Sequence, residues 1–149
     1  MVRKPMTVEE ALPQMLGILS QGESFRLLVT GTSMLPFLRD RQDSVILSPA
    51  PRSIRKGDIL FYRRSVNICV LHRVHRIIGD GTLLLCGDAQ TRLETVHPDQ
   101  IVGIVSAIER NGVNISCDHR FWRALVALWQ LLFPLRPYVL AALRRLHII

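Results

Sequence analysis

The sequence predicts a mainly β fold: a β-rich, partly open antiparallel barrel with a short N-terminal helix and a C-terminal helical hairpin. Short runs rich in β-branched and aromatic residues fall at 25–30, 44–48, 58–63, 67–78, 82–86 and 101–109, separated by Gly, Pro, Asp and Asn. No long helical pattern interleaves them, which points to antiparallel pairing rather than helix-connected parallel strands. With 48% hydrophobic residues in a chain of 149, a sizeable core is available and wholesale disorder is excluded. The expected organisation is a helical segment at 1–24, one β-rich domain at 25–112 and a basic, apolar helical appendage at 113–149.

Residues 6–20 suit a helix, with Thr7 as N-cap and Glu9 and Glu10 in the favourable first turn. Leu12, Met15, Leu16 and Leu19 fall on one face, as in a helix packed on the domain. Arg3 and Lys4 precede it, but Pro5, Glu9, Glu10 and Pro13 interrupt any apolar run of signal-peptide or anchor length. The expected location is therefore cytoplasmic, or peripheral at the cytoplasmic membrane face. Farther on, Asp80-Gly81 is a hairpin turn signal between the strand carrying His72 and the strand leading to Asp88.

Composition changes after Asn111-Gly112. Residues 119–133 are apolar apart from His119, Arg120, Arg123 and Gln130; Pro134 and Pro137 then break the pattern before a second helix to about Leu146. Each piece reaches only about 15–22 Å, short of a bilayer core of roughly 30 Å, so an interfacial helical hairpin is expected. The alternative is packing against the domain or a second subunit. From Asp118 onward there are five arginines and one acid, a net +4 of the chain's +7. Mixed with Trp122, Trp129, Leu and Val, this charge suits an anionic membrane surface better than nucleic acid, which is not an expected partner. Cys69, Cys86 and Cys117 have no metal-ligand spacing and read as buried thiols in a reducing compartment, with a Cys69–Cys86 bridge as the alternative.

The stretch Val29-Thr30-Gly31-Thr32-Ser33-Met34-Leu35-Pro36 carries a hydroxyl at a strand end, where Pro36 forbids a continuous helix. A serine there can be held clear of regular hydrogen bonding, as a nucleophile needs. Lys56-Gly57-Asp58-Ile59, Leu71-His72-Arg73-Val74 and Gly87-Asp88-Ala89-Gln90 follow in order, then Ile101-Val102-Gly103-Ile104-Val105. This ordered set resembles the type I signal peptidase family, with blocks of the form S-M-x-P, G-D-I, H-R-[IV] and G-D-x-N, and most of all its Ser-His branch. The resemblance covers about residues 25–106 and implies a β-rich catalytic fold and cleavage after a small residue in an extended leader or signal segment.

A serine hydroxyl needs a base. The chain has only Lys4 and Lys56 as lysines, and neither falls where the lysine of a Ser-Lys dyad is expected. His72 does, and it alone among His72, His75, His97, His119 and His147 has the His-Arg-Val context. Arg73, next along the strand, is expected on the opposite face. The resemblance implies that Asp88 orients His72; in the Ser-His branch a second acid lies six residues beyond, and Glu94 stands there, so both carboxylates are candidates. Asp58 and Asp80 suit turns, and Asp99 is a weaker candidate. For the oxyanion hole, the family's serine two residues before the nucleophile is replaced by Gly31, leaving the Ser33 N–H and Thr32 hydroxyl as donors. Gln90 likewise replaces the family's asparagine. The expected activity is thus a serine endopeptidase without metal or organic cofactor. The rival is a catalytically inactive peptide-binding module of the same fold.

Overall fold

The computed structural model describes residues 8–51, 53–66 and 68–149. The expected cap Thr7, the rival base Lys4 and the expected strand start at Asn67 lie outside the described residues. Helix α1 (Val8–Ser20) precedes strands β1 (Phe25–Leu28), β2 (Ser44–Ser48), β3 (Ile59–Ser65), β4 (Ile68–Ile77), β5 (Leu83–Cys86), β6 (Glu94–Val96), β7 (Ile101–Arg110) and β8 (Val113–Ser116); helices α2 (Arg120–Leu131) and α3 (Arg136–Arg145) follow. The strands form one open antiparallel sheet in the order β1-β2-β7-β3-β4-β5-β6, with β8 added to β7.

The period-2 alternation of the strands divides the apolar residues between two cores. Along β3, Ile59 and Phe61 join a cluster with Val45, Leu47, Val105 and Ile108, covered by Ala11, Leu12, Met15 and Leu19 of α1 and by Trp122 and Val126 of α2. Leu60 and Tyr62 face the other way, into a smaller cluster with Val74, Leu83, Leu85 and Val96. Each fully buried large apolar side chain contributes about 1.5–3 kcal/mol relative to exposure. Leu16, expected on the packed face of α1, is instead 38% exposed.

Two strands were not expected. β6 is only three residues long and carries a charged residue, too short for a periodic signal, yet it pairs along Leu83–Leu85 of β5. β8 corrects the expected boundary at 112: residues 113–116 extend the sheet rather than begin the appendage. Asn111 (φ 51°) and Gly112 (φ 77°) both take the left-handed conformation that a tight two-residue hairpin needs, so Asn-Gly turns β7 back into β8. The turn at Asp80-Gly81 forms as expected, with the Asp80 carboxylate accepting the Thr82 N–H. No disulfide joins any of the three cysteines.

The C-terminal helices pack on the domain, the alternative weighed above. Trp122, Val126, Trp129, Arg136 and Leu140 are buried, and both tryptophans meet the Phe37 ring edge-on at 5.5 and 6.0 Å. The opposite side keeps Phe121, Leu128, Leu131, Leu135 and Tyr138 more than half exposed. Among the described residues no single helix is long and apolar enough to cross a membrane; α2 and the run Phe133–Arg145 pass that test only as a pair bent by 59°.

The segment between β1 and β2, which carries Ser33, is tied down by the wholly buried Asp43. Its carboxylate accepts hydrogen bonds from Arg39 and Arg110 and from the Arg39 main-chain N–H, while Arg110 also donates to the Phe37 carbonyl. Burial opposes ionisation of Asp43, but the hydrogen bonds from Arg110 and Arg39 outweigh it and hold the carboxyl at about 2. The depressed value makes this contribution to stability complete above the ordinary 3.8 and lost as pH falls through about 2. Asp43→Asn is expected to cost about 3 kcal/mol in denaturant unfolding at neutral pH. The variant's stability is expected to vary less with pH below 4 than that of the unsubstituted protein.

Candidate active site

Ser33 sits in the turn-rich loop that follows β1. Val29 leaves the sheet because its N–H bonds the Asp43 carbonyl and its carbonyl accepts from Arg41 N–H; this ends the strand earlier than residue 30. Gly31, with φ 89°, donates its N–H to Asp40 Oδ1 at 2.8 Å. The Ser33 carbonyl then accepts the Ala89 N–H at 2.9 Å, docking the loop on Gly87-Asp88-Ala89-Gln90. A Cβ on Gly87 would stand 2.6 Å from that carbonyl, so only glycine permits the approach. Among the described residues, neither the hydroxyl nor the main-chain N–H of Ser33 has a hydrogen-bond partner, nor does the Thr32 hydroxyl. All three are free to donate to a substrate.

His72 lies on β4 opposite Leu60 of β3 and is 3% exposed. Tyr62, two residues beyond Leu60, shares its face of the sheet. The Tyr62 hydroxyl donates to Glu94 Oε2 at 2.7 Å and lies 3.2 Å from His72 Nδ1. A phenol has one proton, and Tyr62 spends it on the carboxylate. Its oxygen must therefore accept from Nδ1–H, leaving the lone pair on Nε2. That is the tautomer a general base needs.

Glu94 is the acid that reaches the imidazole, through Tyr62; its own Oε2 is 4.0 Å from Nδ1. Arg64 grips the same carboxylate with two hydrogen bonds of 2.8 Å, which, with Tyr62, keep its carboxyl below the usual range against burial. Burial first, and the hydroxyl's bond to Glu94 second, push the Tyr62 phenol upward and keep it protonated. Burial, reinforced by the Arg64 charge and opposed by Glu94 and Asp88, lowers the His72 value below 6.5. The imidazole is neutral at pH 7.

Asp88, the other candidate orienter, is engaged elsewhere. Its two oxygens accept Nε and Nη2 of Arg73 at 2.8 and 2.7 Å, on the sheet face opposite His72, and Arg73 Nη1 donates to the Gly57 carbonyl. The alternation of β4 sends His72 and Arg73 to opposite sides, and Asp88 follows the arginine. The rival groups have other positions too. His75 stacks on Phe133 at 4.3 Å, His119 Nδ1 accepts the Phe121 N–H as the cap of α2, Asp58 and Asp80 accept the Arg55 and Thr82 N–H groups in turns, and Asp99 sits in a 3-10 turn at Pro98–Gln100. His97 precedes that turn, His147 follows α3, and Lys56 lines a separate recess on the Arg73 side.

His72, Ala89, Gln90 and Glu94 line an open cavity of about 790 Å³, walled on one side by Pro137, Leu140 and Arg144 of α3. Ser33, Gly31, Thr32 and Leu35 line an adjoining cavity of about 480 Å³ that shares Ala89, Gln90 and Arg144 with the first. Among the described residues no hydrogen bond joins Ser33 Oγ to His72; the two side chains face neighbouring cavities across Ala89-Gln90. Tyr62, Arg64 and the position of α3 beside the site were missed in the sequence; the helix itself was expected. The register of β3 on β4 is the signal that finds Tyr62, since residue 62 must share the face of residue 72 once 60 opposes 72. Compared with known proteins, the chain matches no family model and no curated protein sequence.

Tyr62→Phe removes the one hydrogen-bond partner that, among the described residues, fixes the imidazole tautomer. Imidazole nitrogen NMR of the unsubstituted protein is expected to show His72 protonated on Nδ1, and the variant a mixed population. An unchanged tautomer in the variant would place its control elsewhere.

Proposed function

We propose that this chain is a serine endopeptidase that removes a leader or signal segment from a peptide or protein precursor, with Ser33 as nucleophile and His72 as general base. One observation carries the reading: an unbonded serine hydroxyl and a neutral histidine line adjoining cavities joined by the Ala89-Gln90 main chain to which the serine loop is bonded. The ordered motifs similar to those of Ser-His signal peptidases support the same assignment. So does a recess of about 210 Å³ beside Ser33, lined by Leu27, Val29, Met34, Phe61 and Leu71, which fits a small side chain. β1 is a sheet edge leading to Ser33, and its outer row of main-chain groups suits an extended peptide.

In the reaction Ser33 Oγ attacks the scissile carbonyl carbon while its proton passes to His72 Nε2. The Ser33 N–H and Thr32 hydroxyl donate to the oxyanion. The imidazolium, stabilised through Tyr62 by Glu94, gives the proton to the leaving amine as the peptide C–N bond breaks. Water, deprotonated by His72, then hydrolyses the ester and regenerates the hydroxyl. Catalytic hydrogen bonds tighten when substrate seats, and the Ser33 loop has to move toward His72 in that step. The absent Ser33–His72 hydrogen bond favours a second reading, a peptide-binding groove without turnover.

The outer face of α2 and α3 gives the peptidase a partner. Exposed Phe121, Leu128, Leu131, Leu135 and Tyr138, with Arg120 and Arg145 also exposed on these helices, have the chemistry of a surface that rests on anionic lipid.

Incubated with leader-bearing peptides, the protein is expected to cleave them, and Ser33→Ala and His72→Ala to lose at least about a thousandfold in kcat/KM. Equal cleavage by all three forms would overturn the assignment, and binding without cleavage would establish the second reading. Because the His72 value is lowered, kcat/KM is expected to rise with pH through an inflection below 6.5 and stay level to pH 8. The same depression makes the histidine's contribution to folding stability full above 6.5 and lost as pH falls toward the folded value, since the unfolded chain binds the extra proton. Phosphatidylglycerol vesicles are expected to co-sediment the protein, phosphatidylcholine vesicles not, and Phe121→Ser with Leu128→Ser to abolish the binding.

A further inference from the structure

The charges around the cavity do not cancel. Arg64 and Glu94 neutralise one another, and His72 is uncharged at pH 7. That leaves Arg92 and Arg144, both exposed, both on the cavity wall and, among the described residues, both with a guanidinium that has no ion-pair or hydrogen-bond partner. Arg92 belongs to the loop between β5 and β6, and Arg144 to the last turn of α3. Arg144 also lines the cavity beside Ser33, so this one residue borders both the Ser33 side and the His72 side of the site. Among the described residues the one side-chain carboxylate that lines either cavity is that of Glu94, already paired with Arg64; the last residue, Ile149, also lines the cavity beside Ser33. Elsewhere the surface arginines that face partners are spent: Arg26 on Glu109, Arg55 on Asp118 and Arg39 and Arg110 on Asp43.

We infer that the peptide segment bound across the site is acidic, with Asp or Glu side chains close to the scissile bond that pair with Arg92 and Arg144. This rests on the peptidase reading for the words "scissile bond", but the charge preference belongs to the groove and stands with or without turnover. The pair of guanidinium groups offers fork-shaped donors to carboxylates, and their field raises the local concentration of an anionic chain. The cavity wall formed by α3 thus selects the substrate rather than only enclosing it.

The test uses short peptides of alternating alanine and glutamate, alanine and glutamine, and alanine and lysine, titrated against the full chain carrying Ser33→Ala, so that binding is read without cleavage. The glutamate peptide is expected to bind about tenfold more tightly than its glutamine counterpart, the worth of one charge-assisted hydrogen bond. The lysine peptide is expected to bind most weakly, and the preference to shrink as salt is raised. Arg92→Gln with Arg144→Gln, both at exposed positions, should bring the glutamate-to-glutamine ratio close to one. Arg76→Gln, an exposed arginine away from both cavities, should leave the ratio unchanged and so separates a local effect from net charge. Equal affinity for the glutamate and glutamine peptides, or a ratio that survives the double substitution, overturns the inference. Cleavage of leader peptides with no charge preference would overturn it while leaving the peptidase intact. A charge preference lost with Arg92 and Arg144 supports it even if no peptide is cleaved.

Discussion

The buried ion pair between Arg73 and Asp88 holds the site together. Both side chains are almost wholly enclosed, and a buried charge left without its partner costs about 3–5 kcal/mol. Arg73 reaches three pieces of chain at once: the Asp88 carboxylate, the Gly57 carbonyl ahead of β3, and the face of Phe37, 4.9 Å from its guanidinium carbon. Asp88 in turn lends its main-chain carbonyl to Trp129 Nε1 of α2. The loop Gly87-Asp88-Ala89-Gln90 is thereby fixed from below, and it is the loop on which the Ser33 carbonyl and the Arg136 guanidinium both rest. Serine loop, base-bearing strand and C-terminal helices are registered against one another through a single guanidinium.

The two carboxylates of the site divide its work by environment. Asp88, sealed against Arg73 on the face of β4 opposite the imidazole, acts on position. Glu94, at a sheet edge and partly exposed, reaches His72 through a phenol and acts on protonation. The phenol between acid and base is what distinguishes this arrangement from a direct carboxylate–imidazole contact. It transmits orientation while leaving 4.0 Å between the two ionisable groups.

Much of the fold was legible because its signals are local. Alternation marked six of the eight strands, Asp80-Gly81 marked a turn, and proline at 134 and 137 marked the break between the helices, whereas Asn111-Gly112 was read as a boundary rather than as the hairpin turn it makes. β6 and β8 escaped because three or four residues hold no periodicity and both are defined by the strand they join. Ser33 and His72 were singled out by motif context, and the structure places them on neighbouring cavities. The partner of His72 was not, because choosing between Asp88 and Glu94 requires knowing which face of β4 each loop visits, a matter of register rather than composition. Arg136 shows the same limit from the other side. Read along the chain it is a charge in an apolar tail; folded, it is 3% exposed, lies 5.2 and 4.7 Å from the Trp129 and Phe133 rings and donates to the Gln90 carbonyl.

Helix α3 is one helix thick, about 10 Å. Leu140 presses against the interior on one side while Tyr138, two residues earlier, stands in solvent on the other. The groove and the outer apolar patch are therefore two sides of the same partition. Any displacement of α3 from its outer side reaches the cavity wall directly, with no relay through the sheet.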